Sequence, residues 1–371
     1  MVDTILKKVR TGETLCAEEL VTLLSITDAA ELQLLYDAAY FIKEQYVGRI
    51  AYFRGIIECS NLCIKDCYYC GIRRSNDQIE RFQMNEEEIF KEAMWAFEAE
   101  YGSCVIQSGE RQDEDYVAMI ERVVDRIASY THGDFGITLS LGEQTEETYR
   151  RWKKAGAHRY LLRIETTNPT LYARIHPADH SLDVRKECLA ALRRCGYQVG
   201  TGVMIGLPGQ TLEDLAGDIL FLRDIDIDMV GMGPYIPHSE TPMGREIPAY
   251  TTEQKQQALE LGLKMIAVTR LMLKDINIAA ATALQALDDT GREQGLRCGA
   301  NVIMPNVTDT TYRSNYQLYD NKPCLDENSS MCRGCLSGRI RGIGETVGMR
   351  ERGDSPHYRK RTGKQGPDRI S

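Results

Sequence analysis

The chain has 371 residues, 43% hydrophobic and 27% charged, with a formal net charge of -9. That is an ordinary globular composition, and the acidic balance excludes a general nucleic-acid binder, since phosphate recognition needs concentrated Lys and Arg. Residues 1–10 lack the continuous apolar core of a secretory signal and no window approaches the roughly 18–20 apolar residues that cross a bilayer, so no membrane partner is expected and the predicted compartment is the cytoplasm.

Residues 12–25 and 28–46 carry apolar residues at helical spacing. Asp28 reads as the cap of the second, whose apolar face runs through Leu32, Leu35, Ala39 and Ile42 towards Gly48. Together they make a helical N-terminal extension, residues 1–48. Strands are predicted at 50–58, 103–107, 135–141, 158–165, 198–205, 228–235, 277–283 and 300–304. Helices fall between them at 85–101, 114–130, 146–155, 182–195, 212–224 and 252–274, several followed by a glycine (Gly102, Gly156, Gly196) suited to the left-handed position. This alternation predicts an α/β fold, a TIM-like (β/α)8 barrel over residues 49–320. The last helix, at about 288–296, is interrupted by Gly291 and Gly295, which leaves a six-stranded partial barrel as the alternative. Residues 321–371 form a C-terminal cysteine-containing tail, rich in Arg, Lys and Gly from Arg339 onward and expected to be mobile.

Twelve cysteines in a reducing compartment point to metal ligation or packing. Cys63, Cys67 and Cys70 stand at C-x3-C-x2-C spacing in the loop after the first strand, with Tyr69 just before the last. Three thiolates on one short irregular segment can grip three corners of a cubic iron-sulfur cluster and leave the fourth iron open, where an ordinary cluster of this type takes four cysteines. A disulfide is disfavoured without a secretory context. Zinc wants four ligands in a closed site; Cys59 could be the fourth, but it ends an apolar run and reads as a packed thiol. In parallel barrels the reacting groups sit at the C-terminal ends of strands, where this loop lies.

Charged residues inside covered strands need a reason. On the predicted fourth strand Arg159, Leu161, Arg163 and Glu165 share a face, and Arg163 and Glu165 point to the barrel mouth, either for a polar ligand or as a buried ion pair. Arg54, on the face of Ile56 and Glu58 in the first strand, invites the same reading. Gln107-Ser108-Gly109-Glu110 after the second strand and Gly206-Leu207-Pro208-Gly209 after the fifth place glycines where backbone can approach a ligand. A second triplet, Cys324, Cys332 and Cys335, lies beyond the last strand. Cys16, Cys104, Cys188 and Cys195 read as structural, and His238 as a loop hydrogen-bonder.

The run through Cys63, Cys67, Tyr69 and Cys70 resembles the C-x3-C-x-aromatic-C signature of the radical S-adenosylmethionine enzymes. The resemblance implies a 4Fe-4S cluster with one open iron site on those cysteines, and S-adenosyl-L-methionine bound beside it. Gln107, Ser108, Gly109 and Glu110 stand where the family holds the methionine amino group, with serine for the first glycine of its Gly-Gly-Glu-like segment. Tyr69 would lie beside the adenine, Glu165 on the ribose, Arg185 on the cofactor carboxylate and the backbone around Met232 along the adenine; a solvated helix-face charge is the alternative for Arg185.

Longer strings at 159–166, 203–211, 233–238 and 296–306 resemble the HydE family of FeFe-hydrogenase maturases, with shorter versions in biotin synthases and methylornithine synthases. That resemblance implies H-cluster maturation, a 5'-deoxyadenosyl radical acting on a small organometallic substrate: an iron carrying carbon monoxide, cyanide and cysteine. The implied partners are the maturases HydG and HydF and a low-potential electron donor such as ferredoxin or flavodoxin. Arg54, Gln107, Arg163, Thr282, Met304, Tyr316 and Tyr319 would line the substrate end. Cys324, Cys332 and Cys335 resemble an accessory iron-sulfur site, 2Fe-2S or 4Fe-4S, found in some members. A sister radical enzyme on an organic substrate, and a non-catalytic iron-sulfur carrier or scaffold, are the alternative readings.

Overall fold

The computed structural model describes residues 1–326 and 329–363, apart from the side chain of Cys332. Its strands are β1 (Ile50–Ser60), β2 (Ser103–Ser108), β3 (Gly136–Ser140), β4 (Arg159–Leu161), β5 (Gln198–Thr201), β6 (Met204–Ile205), β7 (Met229–Val230), β8 (Gly233–Pro234), β9 (Asn277–Ile278), β10 (Val302–Ile303) and β11 (Thr346–Val347). Eight of them form a parallel sheet in the order β10-β1-β2-β3-β4-β5-β7-β9. A parallel bridge between Ala279 and Val302 joins its two ends, reinforced by Asn301 N donating to Ile278 O at 2.8 Å and Ala280 N to Val302 O at 2.9 Å. The TIM-like arrangement is therefore present, with helices around the sheet. The six-stranded alternative is not what forms.

Several predicted strands are shorter or divided, 277–283 and 300–304 keeping only Asn277–Ile278 and Val302–Ile303. The predicted 198–205 and 228–235 each break in two, β5 then β6 and β7 then β8, where Gly202 meets Gly231; a Cβ on Gly202 would lie 2.0 Å from Gly231 O, so only glycine permits the contact. The fourth stops at Leu161, and Glu165, four residues on, takes a left-handed φ of 66°. β1 pairs regularly with β2 from Arg54↔Ser103 to Glu58↔Gln107, then shifts register before Ser60. That irregularity turns the chain out of the sheet and into the cysteine loop.

The outer helices start on polar caps and bury one apolar stripe each. In Glu114–Tyr130, for example, Asp113 caps the first turn and Val117, Ile120, Val124 and Ile127 face the sheet. Asp28 caps Ala29–Tyr46 as expected, accepting from Ala30 N and Glu31 N. The N-terminal extension also has a helix at Val2–Thr11, with Val2, Ile5, Leu6 and Val9 buried. Among the described residues no helix is long and apolar enough to cross a membrane.

The expectation of a mobile tail from Arg339 is corrected over residues 339–363. β11 pairs in parallel with β1, and buried Glu345 takes an ion pair from buried Lys43 at 2.8 Å. The following residues plug the barrel floor: Gly353 O accepts from Arg54 Nη2 at 3.1 Å and from Asn277 Nδ2 at 2.8 Å, and Asp354 accepts from Arg159 Nη2 at 2.6 Å. Arg361 and Lys360 of the helix Pro356–Thr362 bind Asp228 and Asp275, each at 2.7 Å. Of the basic residues that made the segment look solvated, Lys360 and Arg361 are spent on these carboxylates of the floor, while Arg339 pairs with Glu293 and Arg350 with Glu100.

Candidate functional site

A cavity of about 310 Å³ opens at the C-terminal ends of the strands, and Cys63, Cys67 and Cys70 all line it. The loop that carries them is held from outside by Ile175 O, which accepts from Tyr68 N at 3.0 Å, and by His180 Nε2, which accepts from Asp66 N at 3.2 Å. Burial raises the Cys63 and Cys70 thiols and pushes Cys67 up to about 12. The resting thiols are therefore neutral, and metal loading releases protons. Among the described residues no three His, Cys, Asp or Glu side chains are gathered as for a single metal ion; a cubane needs its thiolates on separate corners instead. Cys59 is fully buried, 3.9 Å from Tyr116 Oη, and does not line the cavity. The zinc alternative loses its fourth ligand.

The end of β2 lies directly under the loop. Glu110 N donates to Cys63 Sγ at 3.3 Å, and a Cβ on Gly109 would sit 2.3 Å from Leu62 O and 2.7 Å from Cys63 Cβ. Burial raises the Glu110 carboxyl, with Lys65 partly offsetting it. Its Oε2 accepts from Glu143 N at 2.8 Å. Glu143 is buried, yet Arg185 at 2.5 Å and Lys65 at 2.7 Å outweigh the burial and hold its carboxyl below the usual range. Lys65 and Glu143 escaped the sequence reading. Gly142-Glu143 follows the third strand as Gly109-Glu110 follows the second, and that repeated strand-end pair was the available signal.

Arg185 is buried, donating to Glu143 and to Arg163 O at 2.7 Å, so the solvated-charge alternative falls. Arg163 Nε meets Glu165 Oε1 at 3.1 Å, while Glu165 Oε2 is buried without a partner among the described residues. A buried carboxylate oxygen left over in a cavity wall calls for a ligand donor. With the glycine cradle at Gly109 and three thiols on the same cavity, it fits a nucleoside-bearing cofactor beside a cluster. Tyr69 also lines this region, its hydroxyl 3.3 Å from His176 Nε2. Burial drives His176 down to about 3, so the neutral ring donates Nδ1–H to Tyr172 O at 3.0 Å and accepts from Tyr69.

Elsewhere in the lining, Gln107 Nε2 donates to Tyr316 Oη at 3.2 Å, and Thr282 Oγ1 accepts from Arg292 Nη2 at 3.2 Å. Ser108, Met232, Met304 and Tyr319 line the same cavity. Arg54 does not, which corrects its placement at the substrate end. It pairs in register with Ser103 at the start of β2 and lies fully buried on the floor. There burial and neighbouring Arg159 depress its pKa well below the usual range. Further charged lining residues were not singled out as site residues: Glu58, and Lys322, which forms an ion pair with it and donates to Tyr316 O at 2.8 Å. Of the second triplet, Cys324 is half-buried and Cys335 exposed, neither lines the cavity, and the Cys332 side chain lies outside the described residues.

The profile of the radical SAM superfamily matches residues 57–222. The chain is similar to the FeFe hydrogenase maturase subunit HydE of Thermotoga maritima, 44% identical over 331 residues that cover 89% of this chain and 91% of the relative. Two solved structures share the fold. One is methylornithine synthase (PylB), with a TM-score of 0.78 and 23% identity over 92% of this chain and 97% of that one. The other is the FeFe-hydrogenase maturase HydG from Carboxydothermus hydrogenoformans, with a TM-score of 0.78 and 22% identity over 97% of this chain and 81% of that one.

Proposed function

The chain belongs to the radical SAM superfamily and, within it, to the HydE-type maturases; from that premise we propose that it acts in FeFe-hydrogenase H-cluster assembly on a cysteine-bound iron carbonyl cyanide precursor. The observation that carries the reading is a single cavity lined both by the three cysteine thiols and by Arg163, Thr282, Tyr316, Tyr319 and Lys322. Family membership implies a 4Fe-4S cluster and S-adenosylmethionine. When bound, the cluster supplies the electron that cleaves S-adenosylmethionine to methionine and a 5'-deoxyadenosyl radical.

The chain's own residues bind, orient and shield. Cys63, Cys67 and Cys70 hold the cluster, and the orphaned oxygen of Glu165 accepts from ribose hydroxyls. Glu110 and the backbone about Gly109 take the methionine ammonium, and Arg185 its carboxylate, with Glu143 and Lys65 holding those two in place. Tyr69 and the backbone around Met232 flank the adenine. Arg163 and Lys322 suit cyanide and carboxylate groups through charge-assisted hydrogen bonds, with the Gln107–Tyr316 pair and Met304 completing that wall. The plugged floor keeps bulk water from the reacting atoms.

The same reading makes HydG the supplier and HydF the recipient, a ferredoxin or flavodoxin the electron source, and the cytoplasm the compartment. An accessory cluster on Cys324, Cys332 and Cys335 is part of it, tested by iron content of the triple alanine variant against wild type. A sister activity on an organic substrate and a carrier role are the competing readings. The deciding experiment presents a synthetic iron-cysteine carbonyl cyanide complex, lysine and dethiobiotin separately to the reduced enzyme with S-adenosylmethionine and quantifies 5'-deoxyadenosine. Stimulation by the iron complex alone is expected. Stimulation by lysine or dethiobiotin instead moves the assignment to the sister activities, and cluster transfer without any cleavage moves it to a carrier.

A further inference from the structure

Five carbonyl oxygens of the cysteine loop converge on one guanidinium. Arg81 Nη1 donates to Asn61 O at 2.7 Å and Ile72 O at 2.9 Å, and Nη2 donates to Arg73 O at 2.5 Å, Asn76 O at 2.8 Å and Arg74 O at 3.2 Å. Asn61 precedes Cys63, whereas residues 72–76 follow Cys70, so the guanidinium ties together the two ends of the segment that holds all three thiols. The two terminal nitrogens carry four N–H groups in a fixed planar fork, one at Nη2 being shared between two carbonyls, a spread that no other side chain offers.

Asn61 completes the clasp from its own side chain. Its Nδ2 donates to Glu80 O at 2.7 Å and Asn315 O at 2.8 Å, and its Oδ1 accepts from Phe82 N at 2.8 Å. The residues on either side of Arg81 are thereby bound to the start of the loop. The half-buried guanidinium meets carbonyl dipoles and, among the described residues, no carboxylate closes on it. Asn61 O stands two residues before Cys63 and Ile72 O two residues after Cys70, so the guanidinium bonded to both lies beside these two ligands. Burial lowers its pKa from the ordinary value, and Cys63 and Cys70 oppose that shift once they are thiolates.

We propose that Arg81 is a positioning residue for the cluster: it holds the loop in its ligand-bearing shape before the cluster arrives, and its positive charge beside Cys63 and Cys70 stabilises the reduced cluster. Three thiolates make the cluster site anionic, and reduction adds one more negative charge. A fixed cation in this partly dry surrounding favours that added charge and raises the reduction potential. The two roles separate by substitution. Lysine keeps the charge but cannot span five carbonyls; methionine keeps length and loses both.

The test compares wild-type, Arg81→Lys and Arg81→Met full-length protein after anaerobic reconstitution. Three quantities are read: iron and sulfide per chain, the rate of cluster loss to a chelator, and the midpoint potential from an EPR-monitored titration. Both variants are expected to lose the cluster about tenfold faster. Arg81→Met is expected to titrate lower, by about 59 mV for a tenfold change in the reduced fraction of a one-electron couple, while Arg81→Lys stays near wild type. A potential for Arg81→Met equal to or above wild type overturns the electrostatic role, and wild-type chelator resistance in Arg81→Lys overturns the clasp. Should Arg81→Met fail to load, hydrogen exchange of residues 61–76 in apo wild type and apo Arg81→Lys decides the clasp without a cluster. Faster exchange in the variant supports it and unchanged exchange refutes it, while the potential of Arg81→Lys against an Arg81→Gln variant then carries the electrostatic arm.

Discussion

Replacing Gly109 with alanine tests whether the end of β2 and the cysteine loop are one assembly. The new methyl would lie 2.3 Å from Leu62 O and 2.7 Å from Cys63 Cβ, where ordinary contact begins at 3.4 Å. Neither neighbour is the flexible end of a side chain, so the loop and strand must part by about 1 Å. Overpacking of this kind costs about 1–3 kcal/mol, which lowers stability without abolishing the fold. A displacement of about 1 Å at the reacting groups costs on the order of 10²-fold in rate. Gly109→Ala is therefore expected to fold and bind iron, yet form 5'-deoxyadenosine about 10²-fold more slowly than wild type. Gly217→Ala is the control: no atom lies within 4 Å of a Cβ there, its helix favours alanine by about 1 kcal/mol, and full activity is expected. Wild-type rate and iron content in Gly109→Ala would refute the reasoning.

Glu165→Gln is expected to raise the KM for S-adenosylmethionine about tenfold, because an amide accepts ribose hydroxyls less strongly than a carboxylate; Arg54→Met, on the floor, should leave that KM unchanged, and the reverse pattern in steady-state assays would contradict the placement of both. The buried thiols give a pH dependence of loading: apo Cys67 is neutral until about 12, so ferrous-iron affinity should strengthen up to about tenfold per pH unit for each proton released, as read by competition with a chelator between pH 7 and 9. Apo stability carries the opposite sign, since above the ordinary thiol pKa of 9.0 the unfolded chain ionises first and the fold weakens. His176 works at the acid side: with a folded value of about 3 against 6.5 unfolded, it is neutral in both states above pH 6.5 and costs about 1.4 kcal/mol of stability for each unit below it. Urea denaturation at pH 7 and 5.5 should show a shallower loss in His176→Gln than in wild type; equal slopes would refute the assignment.

The chemistry near the cysteines was legible because spacing alone places three thiols on one irregular loop after a strand. The inward face of a strand was legible too, but its height was not. Arg54 and Glu58 alternate onto the same face, yet Arg54 sits level with Ser103 at the start of β2 and Glu58 level with Gln107 near its end. Register across strands decides which is floor and which is mouth, and a two-residue period carries no register. The broken strands follow the same logic: Gly202 and Gly231 were visible singly, while their mutual contact needs the alignment of β5 with β7. The left-handed Glu165 is invisible to propensity, since a non-glycine residue takes that conformation only where its surroundings enforce it. The C-terminal segment looked mobile because the partners of its Arg and Lys residues, Asp226, Asp228 and Asp275, are remote in sequence. Lys322 reaches the cavity by the same kind of long-range closure, onto Glu58.

Anaerobic reconstitution with iron and sulfide, followed by S-adenosylmethionine and dithionite, tests the central claim most directly, with 5'-deoxyadenosine quantified in wild type and in Cys67→Ala. Wild type is expected to give 5'-deoxyadenosine and methionine, and the variant none. A reducible cluster in the wild type with no cleavage, even in the presence of the iron-cysteine precursor, or equal product from Cys67→Ala, would contradict it.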